Sequence, residues 1–231
     1  MKQQLVVLMG PPGSGKGTIS QMAVARLPFE HVSIGNILKW QASQGGALGE
    51  QIDFCVRSGK LVDDAIVIKV VRSWLQERET EKNLLLDGFP RTRVQAEALH
   101  KLLQGEYPDL QLCLVLFDVC DTEIKRRMAA RRVCSNSACS SIYSLASDAL
   151  KPKEDGICDH CGSALLLRGD DKPEVVQERL YVHHQEADSL VSYYQEAGLA
   201  VKIVHADGDI EAVYDDFVSA LRLCVSGNTF C

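Results

Sequence analysis

Along most of this chain, short apolar runs alternate with longer stretches whose apolar residues recur at helical spacing. Leu5–Met9, His31–Ser33, Leu84–Leu86, Leu112–Phe117 and Leu199–Val204 read as buried strands. Helical patterns occupy residues 15–26, 63–79, 92–104, 121–131, 172–197 and 209–223. Strand, helix, strand in repetition predicts an α/β fold, a parallel five-stranded sheet with helices on both faces, because right-handed crossovers join parallel neighbours. Ligands of such sheets gather at the carboxyl ends of the strands.

Two segments break the rhythm. Residues 34–62 carry short helices interrupted at Gly45-Gly46 and Gly59, and 132–170 is rich in Ser, Cys, Asp and Gly with little helical period. Both are expected to be insertions over the ligand edge of the sheet. The chain then reads as one domain over 1–231, with core segments 1–32, 63–131 and 171–231 and insertions at 33–62 and 132–170. No internal repeat, low-complexity tract or long linker is visible.

Composition narrows the partners. The 231 residues carry a formal charge of −6, which argues against a nucleic-acid scaffold and makes the cationic residues local tools for small anions. No segment approaches membrane-spanning length, and the apolar run after Met1 is too short for a signal-peptide core. A cytoplasmic protein with reduced thiols is expected. Of nine cysteines, Cys55, Cys113, Cys120 and Cys224 have apolar neighbours and read as small core residues, while Cys231 is unassigned.

Gly10-Pro-Pro-Gly-Ser-Gly-Lys-Gly-Thr18 follows the first strand and leads into a helix. Glycines at 10, 13, 15 and 17 let the backbone aim N–H groups at phosphate oxygens, the helix N-terminus adds partial positive charge, and Lys16 adds a full one. The general phosphate-loop pattern places a hydroxyl after the lysine, where this chain has Gly17, with Thr18 one residue later.

In the second insertion, Cys134 and Cys139, with four residues between them, precede Cys158 and Cys161, which flank two residues, across an eighteen-residue gap. Two close pairs joined by a long loop suit a tetrahedral structural zinc, one per chain. Two disulfides or four free thiols are the alternative, and His160 could replace a thiol only by competing with adjacent Cys161.

After the third strand comes Leu86-Asp87-Gly88-Phe89-Pro90-Arg91-Thr92, then Gln95. Alone, Asp87 is a capped turn; facing a phosphate loop, it can hold Mg2+ through water. Arg91 can fork onto a phosphate. Cations at 125–127 and 131–132 include some that merely complement a helix end, and Arg126 and Arg132 are the candidates for that role.

Taken in order and spacing, G-P-P-G-S-G-K-G-T, G-K-L-V at 59–62, L-D-G-F-P-R-T at 86–92, A-R-R-V at 130–133 and R-G-D-D at 168–171 resemble adenylate kinases with a zinc-binding lid, over all but the last few residues. The resemblance implies a P-loop kinase core in which 132–170 is a mobile lid over ATP and 33–62 binds AMP. By motif, Gly13, Ser14, Gly15, Lys16, Gly17 and Thr18 would hold ATP phosphates, with Ile142 and Tyr143 near the ATP base. Arg127 and Arg131, four apart on one helical face, with Arg168 and Arg179, would surround the transferring phosphoryl group. On the AMP side would stand Ile34, Lys39, Lys60, Leu61, Val62, Gly88, Phe89, Pro90, Arg91 and Gln95, together with Arg168 and Arg179, and Gln95 would read the adenine edge. The implied reaction is ATP + AMP = 2 ADP with Mg2+, catalysed by a monomer through Lys16, Arg91, Arg127, Arg131, Arg168, Arg179 and Asp87, with hinges near Gly59, Arg132 and Gly169. Ile34, Asn36 and Lys39 depart from the Thr, Asp and Arg usual in that family. These departures keep two alternatives open: a kinase for CMP, UMP or GMP, and a silent adenylate-binding sensor.

Overall fold

A computed structural model describes residues 3–77, 81–136, 138–139 and 141–226. Five strands, β1 (Gln4–Met9), β2 (Phe29–Ser33), β3 (Asn83–Asp87), β4 (Gln111–Asp118) and, later in the chain, Val201–His205, form the central sheet. The last strand is β8 here because three short lid strands precede it: β5 (Arg131–Cys134), β6 (Ile142–Ser144) and β7 (Leu165–Leu166). The spatial order is β2-β3-β1-β4-β8, and every neighbouring pair is parallel.

Period-two alternation along β1 divides the core. Leu5, Val7 and Met9 face one layer with Leu84, Leu86 and Leu114, whereas Val6 and Leu8 face the other with Leu85, Cys113, Val115 and Phe117. The first layer is covered by helices α4 (Asp64–Glu77), α5 (Arg93–Glu106) and α7 (Pro173–Glu196) through Val71, Leu99 and Leu190; the second by α1 (Lys16–Arg26), α6 (Asp121–Ala130) and α8 (Ile210–Ser226) through Ile19, Met128 and Phe217. Burying each such side chain contributes about 1.5–3 kcal/mol. The first insertion supplies α2 (Ile34–Ser43) and α3 (Gly46–Ser58), and the second folds β5, β6 and β7 into an antiparallel sheet of its own.

Four expectations change, the simplest being that Cys120, read as a small core residue, is exposed. The fourth helical pattern, 121–131, ends at Ala130, and Arg131 is extended at φ −67°, ψ 136°, so Arg127 and Arg131 do not share a helical face. The helix expected over 63–79 runs to Glu77, and residues 78–80 lie outside the described residues, as does Cys231. Cys113 and Cys224, expected as separate reduced thiols, form a disulfide. The reason is tertiary: α8 packs against the face of β4 that presents Cys113, bringing the two Cα atoms to 5.8 Å. No helix among the described residues is long and apolar enough to cross a membrane.

Candidate active site

The loop after β1 is shaped by close approach. Gly10 has φ +129°, and a Cβ there would lie 2.6 Å from the Phe117 carbonyl oxygen; one on Gly13 would meet Met128 Cγ at 2.8 Å. Only glycine lets this loop pass so near β4 and α6. Gly15, left-handed, starts α1 at Lys16, so the helix N-terminus faces the cleft. Lys16 Nζ donates to Gly10 O at 2.9 Å, Pro11 O at 2.8 Å and Ser14 Oγ at 3.1 Å. Burial pulls its pKa down to about 8, against the attraction of Asp87, and Arg91, Arg179 and Arg131 push in the same direction as burial. Gly17 lies under the lid, with Ile142 Cδ1 3.8 Å from where its Cβ would be.

Asp87 ends β3, aligned with Leu8 of β1 and Ser33 of β2. Burial opposes its ionisation, yet His31, Lys16 and Arg91 outweigh that and hold the carboxyl below its ordinary range. His31 Nε2 stands 3.8 Å from Asp87 Oδ2, an electrostatic contact too long for a hydrogen bond. A half-buried carboxylate near an ammonium at a strand end is a donor of the hard, anionic kind that a hydrated Mg2+ accepts.

The arginines reach the cleft on acidic supports that sequence reading did not single out. Arg127 Nε donates to Glu123 Oε1 at 2.7 Å and Nη2 to Ala206 O at 2.6 Å. Arg126 also forks onto Glu123, while Arg132 Nη1 donates to the carbonyls of Ala129 and Arg131 at the helix end. Arg131 grips Asp171 through both Nε (2.7 Å to Oδ2) and Nη2, and that aspartate side chain is fully buried. Asp170 gathers three cations: Arg168 Nη2 at 2.7 Å, Arg179 Nη1 at 3.3 Å and Lys39 Nζ at 3.3 Å. Burial raises the Asp170 pKa, but Arg168, Lys39 and Arg179 overcome it and drive it far below the ordinary value. Burial draws the Arg179 pKa down to about 10 and also lowers that of Lys39. The signal for Glu123 was its i+3 and i+4 spacing to Arg126 and Arg127; Asp170 and Asp171 stood inside the R-G-D-D motif.

On the opposite wall, Gln95 is almost wholly buried, and its amide is held at both ends. Oε1 accepts from the Arg91 backbone N–H at 2.8 Å, and Nε2 donates to Asp64 Oδ1 at 2.8 Å. Arg91 Nε donates to Gly88 O at 3.0 Å. Lys60, Leu61, Val62, Gly88, Pro90 and Arg91 border the same cleft. Of the residues expected on the acceptor side, Ile34 and Phe89 turn their side chains into the sheet core, which leaves their backbone groups as the part that faces outward. An apolar side chain opening α2 and one following β3 gain more from that layer than a polar cleft could return. Lys39 borders the cleft, tied to Asp170 across it.

The cleft measures about 750 Å3. The phosphate loop, Asp87, Gln95 and the arginines of the core and the second insertion all line it. The adenylate kinase family model matches residues 8–199. The chain belongs to the adenylate kinase family. It is 41% identical over 219 residues to an adenylate kinase of Salinispora tropica, covering 94% of this chain and 97% of that one. An adenylate kinase of Methanothrix thermoacetophila is 38% identical over 216 residues, 94% of this chain and 97% of its own, and one of Streptomyces griseus subsp. griseus 37% over 222 residues, 96% and 99%.

In this adenylate kinase family member the four lid cysteines converge, their sulfurs all within 4.8 Å of one another. Cys134 Sγ lies 3.3 Å from Cys161 Sγ, and Cys139 Sγ 3.7 Å from Cys158 Sγ. Thiolates about 2.3 Å from a tetrahedral Zn2+ stand at such separations, so the donor set fits that ion. Tyr143, expected near the ATP base, borders the cleft but commits its hydroxyl elsewhere. The Asp159 N–H donates to that oxygen at 2.8 Å, leaving its own proton for Cys158 Sγ at 3.5 Å. That hydrogen bond favours the Cys158 thiolate, the form a metal takes.

Proposed function

We propose that the protein transfers the γ-phosphoryl group of Mg-ATP reversibly to the α-phosphate of AMP, giving two ADP. One observation carries this reading: cations borne by the core, the second insertion and the segment joining them, Lys16, Arg91, Arg127, Arg131, Arg168 and Arg179, line a single cleft together with the phosphate loop, Asp87 and Gln95. In-line transfer between two anionic nucleotides needs positioning and charge neutralisation more than a general base, and no histidine is assigned a role in it.

The loop from Gly13 to Thr18 would hold the ATP phosphates on its N–H groups, with Lys16 neutralising charge as it develops. Ile142 and the Tyr143 backbone would border the donor nucleotide. Arg127, Arg131, Arg168 and Arg179 would surround the transferring group, Arg91 would clamp the acceptor phosphate, and Gln95 would read its base, with Lys60 to Val62 and Gly88 bordering that pocket. Asp87 would hold Mg2+ through water, and the ion would supply charge neutralisation between the donor phosphates. Zinc on Cys134, Cys139, Cys158 and Cys161 would be structural, folding a lid with little apolar core. Closure of 33–62 and 132–170 would exclude water and spare ATP from hydrolysis. Working as a monomer in the cytoplasm completes the reading.

A coupled assay across AMP, CMP, UMP and GMP tests it. Preference for AMP is expected. Preference for another acceptor, or nucleotide binding without turnover, would overturn it.

A further inference from the structure

Gln95 does not float in the cleft wall. Its oxygen faces the Arg91 backbone N–H, which only donates, and its nitrogen faces Asp64 Oδ1, a carboxylate oxygen, which only accepts. A flipped amide would set N–H against N–H and oxygen against carboxylate, so one orientation satisfies both ends and the other satisfies neither. Asp64 is itself fixed, since its second oxygen accepts from Thr92 Oγ1 at 3.1 Å, and the same hydroxyl accepts from the Gln95 backbone N–H at 3.2 Å as the cap of α5. Asp64 opens α4, behind Gln95, and is not among the residues lining the cleft.

We infer that Asp64 is a specificity-determining positioning residue, which fixes the Gln95 amide so that the acceptor site takes 6-aminopurine and refuses 6-oxopurine nucleotides. The inference rests on the reading above that Gln95 meets the acceptor base. With two of its polar positions spent, the amide keeps one oxygen lone pair and one N–H for a ligand. Adenine offers a 6-amino donor beside the N1 acceptor, which matches that pair. Hypoxanthine and guanine offer a 6-oxo acceptor beside an N1–H donor, the reverse order. A glutamine free to turn over would serve both bases; one locked from behind serves only the first, because the wrong base leaves buried polar groups opposed.

The test compares AMP with inosine monophosphate, which differs from it by oxygen for the 6-amino group, in the wild type and in Asp64→Asn and Asp64→Ala. Asparagine keeps the shape and can donate or accept, and alanine removes the contact. The wild type is expected to favour AMP strongly, and both variants to lower the AMP-to-inosine-monophosphate ratio of kcat/KM by about tenfold, the scale of one hydrogen bond to a charged group. Thermal melting identifies folded variants, and a merely structural role would depress both substrates by one factor. An unchanged ratio in a folded Asp64→Asn overturns the inference and leaves Gln95 as the base reader. A wild type that does not distinguish the two nucleotides overturns it differently, by removing the reading of Gln95 on which it stands.

Discussion

On the sheet side of the cleft, Lys16 rides on a loop wedged against Phe117 and Met128 and backed by two layers of apolar side chains. On the lid side, Arg131 leads into a three-stranded sheet whose buried cluster among the described residues is Cys134, Tyr143, Cys158 and Leu165. The two walls present the same charge to the same substrate, yet one is held by buried area and the other by four thiols and a pair of aspartates. Precise placement of a cation therefore does not require a large core. It requires that each cation be fixed by something, and in and beside the second insertion that something is polar.

The difference is broken most completely by removing metal. Structural zinc binding is worth of order 10 kcal/mol in zinc-finger peptides, so a strong chelator is expected to melt residues 132–170 while the parallel sheet persists. Elemental analysis before treatment should find about one zinc per chain, and limited proteolysis afterwards should cut within the lid alone; cleavage spread equally through the core would erase the contrast. On the other wall, Lys16→Met is expected to leave the melting temperature nearly unchanged while lowering kcat/KM about a thousandfold. Because burial has brought the Lys16 pKa to about 8, its neutral form accumulates above that pH. The wild-type kcat/KM profile should thus fall as pH rises through about 8, and the variant should lack that limb.

Smaller effects sharpen the picture. Asp171→Ala strips the buried partner from Arg131, and urea unfolding should register a loss of about 4 kcal/mol. Reducing the Cys113–Cys224 disulfide should cost about 3 kcal/mol, as a drop in melting temperature that Cys113→Ser matches and that dithiothreitol does not deepen in that variant. The least change is expected from Lys39→Arg. A guanidinium forks where an ammonium contacts at a point, so the acceptor KM should fall about threefold; an unchanged or higher value would mean that Lys39, bound to Asp170, is adapted as it stands.

The parallel sheet was legible because its strands are short apolar runs, and each of the five observed strands lies within a few residues of its run. The phosphate loop and the cysteine pairs were legible because backbone geometry and metal coordination demand fixed spacings. The inward turn of the Ile34 and Phe89 side chains was not legible for the converse reason: a motif says which segment meets the ligand and not which side chains face the core. Local pattern was likewise silent on the meeting of Cys113 with Cys224, on Lys39 reaching Asp170 and on Asp64 standing behind Gln95, since each joins residues far apart in sequence. Arg131 shows the finer limit, as a four-residue spacing suggested a helical face that the chain abandons one residue earlier.

The Cys113–Cys224 link joins a central strand to the final helix, and every residue of the lid lies between its two ends. The lid is thus enclosed in a covalent ring, whereas the insertion at 33–62 hangs outside it. A protease that nicks the lid yields two pieces that stay tied and travel as one chain on a gel run without reductant; a nick at 33–62 releases its amino-terminal piece to whatever the packing alone can hold.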